Sequence, residues 1–261
     1  MTKALRILVP VAVGIGVLAL WEIAVRTSGI SPIVLPAPSA IGAAFVDNFA
    51  KLMAASWTTL SITLLAFVLA VIGGVALAVL FSLSRTLETA LYPYAIILQV
   101  TPVVAIAPIV TIWIGYDNID AVLLVLAWIV AFFPILANTT LGLRSANHDL
   151  IDLFRLYGAS RWQILTRLQL PGAMPYLLGA MKVSGGLALI GTVVAEFAAG
   201  TGTATGLAWM ITLATRNLHM ATAFAALALL SALGIAIFFS LTALEWALLH
   251  KWHESAVKKA S

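Results

Sequence analysis

An all-α membrane protein threaded through the bilayer six times is the fold this sequence predicts, and three observations predict it. Of its 261 residues, 62% are apolar and only 9% charged, whereas a soluble domain carries roughly 25% charged residues. Mean hydropathy is +1.09. The apolar residues are gathered into six runs, Ile7–Val25, Leu60–Leu80, Ala90–Ile114, Ile119–Ala137, Leu177–Ala198 and Ala221–Leu249, each near the ~20 residues that a helix needs to cross the hydrocarbon core. Residues 1–261 read as one transmembrane domain.

The first run is longer than the ~7–15 residues of a signal-peptide core and is not followed by a small-residue cleavage site, so it is expected to be retained as a span. An even number of spans puts both termini on one side. With the N-terminus inside, the inner segments hold ten basic residues (Lys3, Arg6, Arg85, Arg144, Arg155, Arg161, Arg167, Lys251, Lys258, Lys259) and the outer segments three (Arg26, Lys51, Arg216). Basic residues mark the cytoplasmic side, so both termini and the loop at about residues 145–175 are expected there. The net charge of +4 is therefore a topological signal and implies no nucleic acid. With no cysteine, disulfides and thiolate metal sites are excluded.

After the first span, residues 28–49 are rich in Pro and small residues and then place Ile41, Phe45 and Phe49 at intervals of four, which predicts an external connector with a short interfacial helix. In the second span, Ala66, Ala70, Gly74 and Ala78 form a small-residue ridge; it either admits a close neighbour or reflects the abundance of such residues. The third run holds Pro93, Pro102 and Pro108 with Gln99 and Thr101 near its middle. Proline frees backbone carbonyls that only protein or a watery cavity can satisfy in a membrane, so this run is either a pore-lining element or a kinked packing helix. Residues 116–120 predict an outer turn, and Pro134 a kink in the fourth span.

The longest markedly polar interval, Leu150–Pro175, predicts two short helices. Leu150, Leu153, Phe154 and Tyr157 fall on one face of the first, and Gly158 ends it in the manner of a left-handed C-terminal glycine. Ser160 and Gln163 form a capping box that opens the second, and Pro171, lacking an N–H, is expected to end it. The fifth span follows, holding Lys182, Ser184 and Glu196. Lys182 and Glu196 lie ~21 Å apart along a helix and cannot pair with each other; each either faces the bundle interior or reaches an interface. The glycine-rich segment 200–206 reads as a flexible outer lid.

These residues resemble the EAA loop of permease subunits of binding-protein-dependent ABC importers: Glu-Ala-Ala, three residues, Gly, about nine residues, an aliphatic, one residue, Leu-Pro. Asp152-Leu153-Phe154 stands at the Glu-Ala-Ala position and retains its acid, Gly158 is the glycine, and Leu168-Gln169-Leu170-Pro171 closes the pattern. Leu35–Ile41, Phe132–Ser145 and Val193–Phe197 extend the resemblance over most of the chain, toward the subfamily for nitrate, sulfonates, taurine, thiamine-type pyrimidines and riboflavin. The resemblance implies a type I importer permease in the bacterial inner membrane. A second copy of the chain, two copies of a cytoplasmic ATPase that uses Mg-ATP, and an extracytoplasmic solute-binding protein would be its partners. It also implies that Asp152, Leu153, Phe154, Gly158, Ala159, Ser160, Leu168, Leu170 and Pro171 couple to the ATPase, while Gln99, Thr101, Pro102, Lys182, Ser184 and Glu196 are candidates for the translocation path.

The chain carries no ATP chemistry of its own. A phosphate-cradling loop ends in Gly-Lys-Ser/Thr, and no lysine here follows a glycine. His250 and His253 are spaced for a metal but lack a third ligand, so neither a cofactor nor an enzymatic activity is expected. A membrane-anchored helix-turn-helix lacks a third helix to complete its core. A channel or secondary transporter, the remaining alternative, would show paired halves with broken helices, and none is visible.

Overall fold

The computed structural model describes residues 3–199 and 205–250, with side chains at all of these except 3, 4, 6, 7 and 199. Residues 200–204 of the expected outer lid, and Lys251, His253, Lys258 and Lys259, lie outside them. The helices are α1 (Lys3–Thr27), α2 (Pro38–Asp47), α3 (Phe49–Leu83), α4 (Arg85–Val100), α5 (Val103–Ile114), α6 (Ile119–Arg144), α7 (His148–Leu156), α8 (Arg161–Ile164), α9 (Leu170–Ala199), α10 (Leu207–Arg216) and α11 (Met220–Leu249). Contacts divide the chain into two compact units, Met1–Thr58 with Thr205–Ser231, and Thr59–Ala204 with Ala232–Ser261.

In the first unit, the connector after α1 is fastened by an acid that an apolar reading passes over. The N-cap position of α2, Ala37, has no side-chain acceptor to offer. Glu22 of α1 supplies one, accepting from the Ser39 amide at 3.0 Å and the Ser39 hydroxyl at 2.8 Å, as a carboxylate does at a helix N-terminus. The expected short helix is present as α2 with Ile41 and Phe45, but it ends at Asp47, and Phe49 opens α3, meeting Phe45 edge to face at 5.6 Å across the break.

In the second unit, α6 and α9 pack antiparallel along most of their length, and glycines let them do so. A Cβ on Gly142 would lie 3.0 Å from the Ala173 Cα, and one on Gly191 would lie 3.0 Å from the Ala127 Cα. The ridge in α3 serves the same end: Ala66, Ala70 and Ala78 are fully buried, and a Cβ on Gly74 would lie 2.7 Å from Ile135 of α6. Such close approach lets dispersion and interhelical contact hold helices together where lipid offers no hydrophobic drive.

The third apolar run departs from a single span. It is two helices, α4 and α5, bent by 104°. The break falls at Thr101, whose extended backbone (φ −71°, ψ 123°) is what the residue before a proline is pushed to adopt. The pair nevertheless crosses the bundle. Glu88 in the first turn of α4 pairs with Arg144 in the last turn of α6, and only four residues separate the end of α5 from the start of α6. The chain thus returns the full length of α6, ~39 Å for its 26 residues, and the two pieces make one broken span. Five helices are long and apolar enough to cross by themselves, and this pair supplies the sixth crossing.

Candidate functional site

Two places gather polar chemistry in the second unit, the loop between α6 and α9 and the polar residues of α9. In the loop, α7 leaves its apolar side chains uncovered: Leu153 is 45% exposed, Leu156 86% and Tyr157 84%. Among the described residues Asp152 pairs only with its neighbour Arg155, at 3.1 Å and in the open. Gly158 has φ +75° and nothing within 4 Å of where a Cβ would stand, so conformation alone, and not space, asks for glycine. The Ala159 amide donates to the Phe154 carbonyl and the Gly158 amide to that of Arg155, both at 2.9 Å, closing the helix end. Ser160 and Gln163 form the capping box, with the Ser160 amide donating to Gln163 Oε1 at 2.7 Å and the Gln163 amide to Ser160 Oγ at 3.3 Å. A cleft of about 390 Å³ runs between the two helices, lined by Leu153, Phe154, Tyr157, Gln163 and Arg167 among others.

The second loop helix does not end at Pro171. A π-helical turn, Leu165–Gln169, joins α8 directly to α9, and a single apolar helix runs from Arg161 to Ala198. A proline inside an α-helix collides with the carbonyl four residues back; a π turn lengthens the hydrogen-bond step by one residue and takes up that conflict. The Leu170 amide donates to Leu165, five residues back, which is that step. Gln169 anchors the turn by donating to the Leu143 carbonyl of α6 at 3.2 Å. Leu168 and Leu170 are half-buried at the same junction. The second half of the loop is therefore the first part of the α9 rod, while α7 stands apart from it across the turn at Gly158.

Within α9, the two charges expected to face either interior or interface are both engaged inside the bundle. Lys182 pairs with Glu245 of α11 at 2.6 Å, each side chain about a quarter exposed. Glu196 is fully buried and accepts from the Thr59 hydroxyl of α3 at 2.7 Å, while the Thr63 and Thr192 hydroxyls meet at 3.1 Å one turn away. Ser184 is also fully buried, and its hydroxyl has no partner among the described residues. At the α4–α5 break, Gln99 and Pro102 are exposed, and the Thr101 hydroxyl donates to the Ile97 carbonyl at 2.7 Å. Glu245, Glu22, Thr59 and Thr63 were not singled out by sequence. A signal existed for Glu245: an acid near the end of one span at about the depth that Lys182 occupies near the start of another.

An all-helical bundle with a broken span and a short exposed helix on the loop before its longest rod is the architecture of type I importer permeases. The chain belongs to the family described as binding-protein-dependent transport system inner membrane component, which matches residues 70–245. It is 31% identical to the formylaminopyrimidine transport permease protein of Halalkalibacterium halodurans over 95% of this chain and 98% of that one. It is 34% identical to the riboflavin transport system permease protein of Chloroflexus aurantiacus, over 91% and 87%. The taurine transport system permease protein of Escherichia coli is 28% identical over 93% and 90%. Among solved structures, the inward-facing MetNI methionine ABC transporter superposes with a TM-score of 0.62 at 19% identity, covering 77% of this chain and 97% of that one. The protein is thus a multi-pass membrane permease of an ABC importer that works with a separate ATPase and a solute-binding protein.

Proposed function

We propose that two copies of this chain form the path of an importer for a small neutral nitrogen heterocycle of the pyrimidine or flavin type. Two ATPase subunits, holding Mg-ATP, grip the paired α7 helices in the cytoplasm, and the solute-binding protein delivers cargo on the opposite face; the chain itself binds no cofactor. The observation that carries this reading is the uncovered face of α7, a nine-residue helix presenting Leu153, Leu156 and Tyr157 beside a cleft. A cytoplasmic partner that inserts there would push on Gly158 and Ser160, and the unbroken run from α8 into α9 would carry the motion as a rigid body into the α6–α9 seam. The ten-to-three bias in basic residues supports the orientation. Exposed Gln99 and Pro102 at the α4–α5 break fit a wall of the path.

A neutral cargo is favoured because the one lysine within a span, Lys182, is neutralised by Glu245, leaving no cation there to attract a sulfonate or nitrate. The pyrimidine and riboflavin relatives also exceed 30% identity across nearly the whole chain. Proteoliposomes holding the permease, its ATPase and its binding protein should accumulate labelled formylaminopyrimidine or riboflavin only with ATP inside, and excess taurine should not compete. Competition by taurine would replace the neutral cargo with a sulfonate.

A further inference from the structure

We infer that the ion pair between Lys182 and Glu245 is the clasp that makes α11 travel with α9 when the loop is moved, which makes both of them positioning residues for transport; this rests on the importer reading above. Contacts within the second unit fix how the two helices lie. Gly234 of α11 stands against Leu189 of α9, with 3.4 Å between the leucine Cδ2 and where a Cβ would be. A Cβ on Gly185 would lie 2.5 Å from Leu241 and 3.0 Å from Ile237, and Lys182 reaches Glu245 at 2.6 Å. Residue numbers fall along α9 as they rise along α11, so the helices run antiparallel in one register. Gly185 lets α11 come close, and the ion pair closes the series.

The aliphatic contacts alone would hold α11 weakly. Lipid chains offer a leucine or isoleucine much the same surroundings as a neighbouring helix does, and Ile235, Phe238, Phe239 and Trp246 of α11 are already uncovered. The ion pair has no such substitute. With each side chain only about a quarter exposed, parting the two leaves an unpaired charge in or beside hydrocarbon, and a slide of one helical turn, ~5.4 Å, would break the pair outright. The α6 helix is held to α9 differently, by close contact at Gly142 and Gly191, which shape alone secures. The rod therefore has one packed neighbour and one clasped neighbour, and only the second can be released by changing charge.

The test uses proteoliposomes holding the permease, its ATPase and its binding protein, and reads labelled riboflavin or formylaminopyrimidine taken up per ATP hydrolysed. Lys182→Met combined with Glu245→Met removes both charges and leaves neither unpaired, so the melting temperature should stay with the parent while uptake per ATP falls about fivefold. Exchanging the charges, Lys182→Glu with Glu245→Lys, should bring the ratio back. The chain has no cysteine, so Leu189→Cys with Gly234→Cys can be cross-linked selectively. That cross-link should leave uptake intact where the ion pair is present and restore it in the uncharged variant. Unchanged uptake per ATP in the uncharged variant overturns the inference, and so does a loss matched by a lower melting temperature, which would make the pair a packing contact. Failure of both the exchange and the cross-link to restore the ratio, or a cross-link that stops transport while the pair is present, overturns it as well. A parent complex whose ATP hydrolysis drives uptake of neither probe would instead count against the importer reading itself.

Discussion

Gly142 and Gly158 stand at the two ends of one short stretch, and the structure needs glycine at each for opposite reasons. At Gly142, on the α6–α9 seam, backbone conformation is ordinary helix and space is the constraint: a Cβ would lie 2.8 Å from Tyr176 and 3.0 Å from the Ala173 backbone. At Gly158, in the exposed loop, space is open and the constraint is φ +75°. One region is closed to side chains because two rods touch along it. The other is open, as the proposed grip of an ATPase subunit on this loop requires. If the loop is gripped as proposed, one residue type serves both stiffness in the bundle and docking outside it, and substitution can separate the two.

The largest effect is expected at the seam. Gly142→Val adds three carbons against backbone that cannot retreat, and overpacking of this kind costs about 1–3 kcal/mol or more. Because α9 carries the loop proposed to couple to the ATPase, the lesion should be global: poor yield in the membrane, early thermal aggregation and a complex that fails to assemble. Gly142→Ala should be intermediate. A Gly142→Val permease that melts with the parent would mean that α6 and α9 separate freely, and the idea of a rigid rod would fall with it.

Next in size is Gly158→Val, and its signature should be the reverse. A β-branched residue at φ +75° costs on the order of 1–3 kcal/mol locally and re-aims α7, but nothing in the bundle is touched. The variant should insert and melt normally while losing transport and co-purification with the ATPase. Gly158→Asn, which tolerates the left-handed region better than other residues, should recover part of both. Equal damage from Asn and Val would show that the glycine is needed for close approach of the partner and not for its φ.

This contrast was partly legible in the sequence. Gly158, the capping box and the face of α7 were all readable because each depends on neighbours within one or two turns. The six crossings followed from length and apolarity alone. What escaped was set by distant residues. Pro171 predicts a helix end locally, and only the π turn with Gln169 held to Leu143 lets the rod run through it. The third run reads as one span because hydropathy does not register that Thr101-Pro102 turns the chain by 104°. Lys182 was open between interior and interface until Glu245 was brought beside it from 63 residues away, and the same holds for Glu196 and Thr59.

The smallest expected effect sharpens the comparison most, because it probes the point where the loop becomes the rod. Ser160 opens the helix that continues as α9, and its box has two hydrogen bonds, the shorter of which runs from the Ser160 amide to the Gln163 side chain. Ser160→Ala removes only the longer one and should cost about 0.5–2 kcal/mol, confined to the first turn. Gln163→Ala removes the shorter bond and a wall of the cleft, so it should weaken ATPase co-purification more than Ser160→Ala does. Gln163→Glu preserves the box, since glutamate serves as well at that position, and should restore coupling. If the cap matters only by starting the rod, Ser160→Ala and Gln163→Ala will lower transport alike and leave ATPase affinity alone. If the loop is gripped at the cleft, affinity will follow Gln163 and ignore Ser160, and that split in a titration of ATPase against immobilised permease decides between them.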